Sequence, residues 1–261
     1  MAADTLSLAG KVAIITGSGK ENGIGAGIAL ALVRNGASVV LNYVSDSTGP
    51  RAAEVAKRIK QSGGKAVAVQ ADVSTPEGAQ ALVKEGLKGL GVEKVDILVN
   101  NAGGGPTGSA IQASKEDVER SFGINVFAAL WMTQAVVPVM PRGGRIVNIG
   151  SIASKMGMAP IALYCASKAA SDTLAYAMAM ELGRGYGITV NTVAPGPIPT
   201  DGLAKGPVAD AVHNFLIPLT RAEERMGTVD DIADAVLLIA SEKSRWITGQ
   251  FISVSGGITG V

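Results

Sequence analysis

"IITGSGKENGIGAGIA", residues 14–29, joins an apolar β-branched run to a helix of small residues through a loop crowded with glycine. A glycine directly after a buried strand permits a tight turn. Further glycines let backbone approach a pyrophosphate, and a helix N-terminus supplies unpaired N–H groups and a favourable dipole. Gly17, Gly23 and Gly25 suit these three tasks, and they stand where a dinucleotide cradle requires them, after a first strand and opening a helix. The spacing is unusual, because five residues, "SGKEN", separate Gly17 from Gly23. Lys20 and Asn22 therefore enlarge the loop.

Beyond this stretch the same alternation continues. Strand patterns at 12–16, 38–43, 66–70, 96–100, 144–150, 188–193 and near 251–254 are separated by helical patterns at 25–34, 51–61, 76–89, 115–133, 164–181 and 229–241. Strand and helix in turn imply an α/β fold, a doubly wound parallel sheet with helices on both faces. No linker or internal repeat divides the series, so residues 1–261 read as a single nucleotide-binding domain. The one irregular region, 195–224, carries five prolines and reads as a flap over a site.

Composition narrows the function classes. The chain has 261 residues, 47% of them hydrophobic and 17% charged, with a formal net charge of +1 and no run of like charges. No nucleic-acid partner is expected from that balance. A single cysteine, Cys165, and a start without a basic and apolar leader point to a reducing, cytoplasmic compartment. Runs such as "SVVLNY" and "ITVNTVAPG" are short and interrupted, so no membrane span is expected. One histidine, His213, without acidic or cysteine companions at suitable spacing makes no metal site.

Further along stands "SIASKMGMAPIALYCASK". Tyr164 and Lys168 are four residues apart, so on a helix they emerge from one face, one turn apart. With "NNAG" at 100–103, Ser151 directly after a strand, and the glycine loop, the chain resembles the short-chain dehydrogenase/reductase family from about Leu8 to Gly257. Other matching pieces are "ADV" at 71–73, Asn125, "PGPIPT" at 195–200 and "ITGQFISVSGG" at 247–257. The glycine loop has the length of the divergent enoyl-thioester reductase branch, whereas the three residues between Tyr164 and Lys168 have the spacing of the main branch.

The resemblance implies a seven-stranded parallel Rossmann-type sheet and a homotetramer or homodimer. It implies that Tyr164 is the general acid, that Lys168 holds the nicotinamide ribose and lowers the tyrosine pKa, that Ser151 hydrogen-bonds the substrate oxygen, and that Asn125 supports a proton-relay water. Gly17, Asn22, Gly23, Ile24 and Gly25 are implied around the pyrophosphate, and Asp72 and Val73 beside the adenine. Asn100, Ala102, Gly103, Tyr164, Lys168, Pro195, Gly196, Ile198 and Thr200 are implied along the rest of the cofactor. Such chemistry needs a proton source for a developing alkoxide. Bringing a phenol from pKa about 10 to neutrality requires about 4 kcal/mol of phenolate stabilisation, much of which a nearby ammonium supplies.

NAD enzymes usually place an acid at the end of the second strand, about 20 residues past the glycines. Here "SVVLNYVSDS" puts Tyr43 at that position, with Ser45 after it, so NADP is expected in preference to NAD. Lys20 or Arg51 is expected to add charge, and Asp46 is the contrary sign. The expected pocket walls, 104–107, 152–158 and 198–217, carry little fixed charge and suit a small-molecule carbonyl substrate that is apolar, cyclic or aromatic. The loop and second strand are similar to those of fungal polyketide reductases. A 3-oxoacyl-thioester reductase is the alternative within the family, and a cofactor-binding protein without redox turnover is the alternative outside it.

Overall fold

The computed structural model describes residues 5–201, 203, 209–210 and 212–259. β1 (Val12–Ile15), β2 (Ser38–Tyr43), β3 (Ala66–Gln70), β4 (Ile97–Asn100), β5 (Arg145–Ile149), β6 (Thr189–Pro195) and β7 (Phe251–Val254) form one sheet in the order β3-β2-β1-β4-β5-β6-β7. All pairings are parallel, and Ala13 stands level with Val39 on one side and Ile97 on the other. The expected sheet is thus observed, with boundaries within two residues of the sequence pattern.

Alternation along each strand creates two cores. Ala13, Ile15, Val39, Leu41, Ile97, Val99 and Val147 face one side, under α1 (Ile24–Arg34), α2 (Gly49–Gln61) and α8 (Val229–Ala240). Ile14, Val40, Leu98 and Ile146 face the other, under α3 (Pro76–Leu90), α5 (Ala128–Val136) and α7 (Ala162–Tyr186). Strand order reverses between β1 and β4, which opens a crevice beyond their carboxyl ends, the usual ligand position in such sheets.

Three features differ from the sequence reading. The helix expected at 115–133 is α4 (Lys115–Phe122) and α5, joined by a π-helical turn, Gly123–Phe127, that contains Asn125. The stretch Lys115–Val139 is also long and apolar enough to cross a bilayer, against the expectation that no segment is. Its Ala128, Met132 and Val136 are buried in the second core, the place of a core helix. A short helix, α6 (Ala153–Met156), follows Ser151 where none was foreseen. Within the expected flap, Val212–Leu216 forms a π-helical turn and Ile217–Leu219 a 3-10 turn, while residues 202, 204–208 and 211 lie outside the described residues.

Candidate active site

The glycine loop and the segment after β4 are built as one unit. Thr16 Oγ1 accepts hydrogen bonds from the Asn101 and Ala102 N–H groups, both at 2.9 Å. Asn101 Nδ2 donates to the Thr16 and Gly17 carbonyls at 2.8 and 3.1 Å. From the β2 side, Asn42 Oδ1 accepts from Gly17 N at 3.1 Å and Ser18 Oγ accepts from Asn42 N at 3.0 Å. Gly17 has φ +61°, and a Cβ there would lie 2.9 Å from Ala102 Cα. At Gly25 a Cβ would lie 2.5 Å from Asn101 Nδ2 and 2.9 Å from Ser18 Cα. Gly23, the N-cap of α1, has no side chain with which to cap the helix. Ile24 begins the helix behind it, and Asn22 bonds to Asp201.

These features fit the phosphates of a dinucleotide. Thr16, Ser18, Asn42 and Asn101, which hold the cradle, were missed as site residues. The signals were a buried asparagine in the apolar strand "SVVLNY" and the second asparagine of "NNAG".

At the end of β2, Tyr43 pairs with Gln70, and the chain then turns. Ser45 Oγ lies 2.9 Å from the Ser47 hydroxyl and 3.0 Å from that of Thr48. Asp46 accepts a hydrogen bond from Gln70 Nε2 at 2.9 Å, so its carboxylate is turned towards the end of β3. Arg51 departs from the expectation that it is a ready phosphate ligand. Its Nε donates to Glu21 at 2.6 Å and its guanidinium also binds Asp201, which ties α2 to the enlarged loop and to the segment after β6. Both carboxylates are consequently held below their usual range. Lys20, drawn electrostatically to Asp201, is the basic side chain of the loop itself.

Other expected cofactor residues divide by what they expose. Asp72 is exposed and accepts from the Ser74 hydroxyl and N–H at 2.6 and 3.0 Å. Val73 and Ile198 have their side chains in the two cores, so only their main chain is available to a ligand. Asn100 Nδ2 donates to Asn148 Oδ1 at 2.8 Å, while Asn100 Oδ1 is buried without a partner among the described residues. Pro195 accepts from Ile152 N, Gly196 donates to the Val254 carbonyl, and Thr200 N donates to the Ile198 carbonyl. Of the expected pocket walls, Ile152 and Ala153 are buried rather than open to a pocket.

The residues expected to be catalytic converge across four elements. Tyr164 and Lys168 lie one turn apart on α7, and the Lys168 ammonium is 5.8 Å from the Tyr164 ring centroid. Lys168 Nζ donates to the Ile149 carbonyl at 2.7 Å. Ser151, two residues on, places its hydroxyl beside the phenol. A Cβ on Gly103 would stand 2.9 Å from Asn125 Oδ1 and 3.1 Å from Lys168 Nζ, so Gly103 fits between them. The Asn125 amide accepts from Gly104 N at 3.0 Å and donates to Gly104 O at 2.6 Å and to Ser167 Oγ at 3.0 Å. These bonds hold the Asn125 side chain against the segment after β4 and against Ser167.

The electrostatics correct one expectation. Burial pushes the Tyr164 phenol up, and the neighbouring Ser151 hydroxyl pulls it down. Lys168 does not lower it here, because the ammonium points to Ile149 and is itself depressed to about 8 by burial. Cys165, adjacent in sequence, is buried with its thiol 3.8 Å from the Met158 carbonyl, and no group of metal-ligating side chains occurs among the described residues.

A family model described as enoyl-(acyl carrier protein) reductase matches residues 17–259. The 7alpha-hydroxysteroid dehydrogenase of Escherichia coli K12 is 40% identical over 256 residues, covering 97% of this chain and 96% of that protein. The tetrahydroxynaphthalene reductase PfmaG of Pestalotiopsis fici is 36% identical over 261 residues, covering 95% and 91%. Among solved structures, the angucycline C-6 ketoreductase LanV with bound NADP superposes with a TM-score of 0.88 at 35% identity, covering 97% of this chain and 96% of that one.

Proposed function

Because this chain belongs to the short-chain dehydrogenase/reductase family of oxidoreductases, we propose that it reduces the carbonyl of an apolar, cyclic or aromatic ketone with NADPH, using Tyr164 as the general acid. The observation that carries this reading is the meeting of Ser151, Tyr164 and Lys168 at the mouth of the crevice that Gly17, Gly25 and Gly103 leave open. Bound there, the nicotinamide supplies hydride. The cradle of Gly17, Asn22, Gly23, Ile24 and Gly25 holds the pyrophosphate. Tyr43, Ser45 and Lys20 suit a ribose 2′-phosphate, with a phenol rather than a carboxylate at position 43 and the Asp46 carboxylate engaged by Gln70. Ser151 donates to the substrate oxygen, and Tyr164 passes it a proton as the alkoxide develops. Lys168 is assigned to the nicotinamide ribose; its ammonium, turned there from the Ile149 carbonyl, would put positive charge beside the phenol and favour proton release.

Three relatives or neighbours are named for work on steroid, naphthalene or angucycline rings, which supports a polycyclic substrate. The description of the matching family model favours a second reading, an acyl-thioester substrate. Loss of NADPH absorbance against a panel of decalones, aromatic ketones and 3-oxoacyl thioesters tests both. Turnover confined to the thioesters establishes the second reading, and none with any carbonyl contradicts both. The same reading includes a homotetramer or homodimer in a reducing, cytoplasmic compartment.

A further inference from the structure

Arg51, Glu21 and Asp201 form a charged cluster that the chemistry above does not use. They come from three separate places: the first turn of α2, the enlarged glycine loop after β1, and the segment after β6. Arg51 Nε donates to Glu21 at 2.6 Å, and Arg51 Nη2 donates to Asp201. A guanidinium carries donors on separate edges of one plane, so a single side chain ties both carboxylates in fixed directions. Asn22 donates a further hydrogen bond to Asp201, and Lys20 attracts the same carboxylate. Both ends of this tie are anchored. A Cβ on Gly19 would lie 2.8 Å from Tyr43 Cβ and 3.2 Å from Ala52 Cβ, so the loop is seated directly on β2 and α2. Ile198, shortly before Asp201 in the chain, is buried in the first core.

The sheet order gives the tie its meaning. β4 and β5 stand between β1 and β6, so the chain leaving β6 reaches Glu21 and Arg51 only by crossing the crevice beyond the carboxyl ends of those strands. Glu21 is almost adjacent to Gly23, at the N-terminus of α1, where the cradle receives a pyrophosphate. A dinucleotide in this crevice has its adenosine towards β2 and β3 and its nicotinamide towards Tyr164. The cluster therefore joins the two banks at the level of the pyrophosphate between them. Two carboxylates there would repel that group, and the charges of Arg51 and Lys20 balance them.

We propose that Arg51 is a positioning residue that closes a strap, Glu21–Arg51–Asp201, over the pyrophosphate and so governs how fast the dinucleotide leaves. This inference rests on the nucleotide-binding step of the reductase reading above. The adenosine and nicotinamide halves lie on opposite sides of the strap, so the whole molecule departs only when Arg51 lets go of one carboxylate. Arg51 acts here through its two acidic partners and not as a ligand of the nucleotide. That distinction fixes the signs of the test. If Arg51 bound the 2′-phosphate, or acted only as a charge, removing Asp201 would free the guanidinium for the nucleotide and slow its release. If Arg51 holds a strap, removing Asp201 opens it and speeds release.

The test compares wild type with Arg51→Met, Asp201→Ala and the double variant, in stopped-flow displacement of NADPH and of NADH followed by nicotinamide fluorescence. In each single variant koff should rise by about fivefold or more, for both nucleotides alike. The double variant should release within about twofold of the faster single one, because either change opens the same strap. Adenosine 2′,5′-bisphosphate ends before the nicotinamide half, so its Kd should stay within about twofold of wild type throughout. Melting temperatures should stay within about 2 °C, since ion pairs between side chains 33–37% exposed contribute little to folding. A koff for Asp201→Ala at or below that of wild type overturns the proposal, as does an effect of Arg51→Met confined to NADPH. A bisphosphate Kd that weakens in step with koff overturns it as well. A wild type that binds neither nucleotide overturns the reductase reading and the strap together, whereas binding with koff unchanged in both single variants overturns the strap alone.

Discussion

Lys168 is fully enclosed, hydrogen-bonded to the Ile149 carbonyl, and depressed to about 8 from an ordinary value of 10.5. The protonated form therefore disappears as pH rises through about 8 in the free protein. The kcat/KM for ketone reduction should be level below that pH and fall about tenfold per pH unit above it. A flat profile to about pH 10, where a free lysine begins to titrate, would contradict the assignment. Across the same window the contribution of Lys168 to stability moves the other way. The unfolded chain holds more protons between about 8 and 10.5, so that contribution grows as pH rises, and falling activity is not unfolding. That Ser151, Tyr164 and Lys168 would stand near one another was legible from the family resemblance of their motifs. The upward shift of Tyr164 was not, because it depends on burial and on where the ammonium points. Tyr43 gives the second test at this scale. Wild type should prefer NADPH by at least about tenfold in kcat/KM, about 1.4 kcal/mol, and Tyr43→Asp should move the preference towards NADH by adding like charge and a ribose acceptor. Equal use of both nucleotides by wild type, or an unchanged ratio in the variant, would refute it.

Elements were legible where one periodicity ran unbroken. β2 and β3 stand at the residues the pattern marked, because their apolar β-branched residues face helices on both sides. The break inside 115–133 was not, since a π turn adds one residue per turn and the single glycine at its start, Gly123, does not by itself mark one. That turn carries Asn125 to Gly104 and so belongs to the site. Likewise the enlarged glycine loop was legible as long, but its grip on Arg51 and Asp201 depends on α2 and the segment after β6 meeting it in space. α8 supports the cradle from behind. A Cβ on Gly27 of α1 would collide with Val229 Cγ1 at the start of α8, so the two helices touch closely at this point. The N-terminus of α8 is closed by a capping box, in which Thr228 Oγ1 accepts from Asp231 N at 3.0 Å and Asp231 Oδ2 accepts from Thr228 N at 2.7 Å. Thr228→Ala should cost about 1 kcal/mol. Calorimetry should show Tm lower by about 2–4 °C, and a Tm unchanged from wild type would show that the box contributes nothing to that contact.

Across the molecule, two cores on one sheet account for most apolar residues, yet several large ones remain outside. Met180 on α7 (87% exposed) and Trp246 (96% exposed) stand open, and Phe127 at the head of α5 and Leu238 on α8 are about half exposed. The sequence showed this as helices apolar around most of their circumference. Light scattering at micromolar concentration should therefore give the mass of two or four chains, and a mass of 26.4 kDa would contradict the proposed assembly. Substrate identity was the least legible property, because the pocket walls come from segments far apart in sequence and part of the flap lies outside the described residues. The proposal that this molecule is a tyrosine-dependent carbonyl reductase is tested most directly by pairing NADPH affinity with single-turnover reduction of a responsive ketone in wild type and Tyr164→Phe. The expected result is a nucleotide Kd within a few fold of wild type and a hydride-transfer rate lower by about 10²–10⁴-fold. Hydride transfer by Tyr164→Phe at close to the wild-type rate would contradict it.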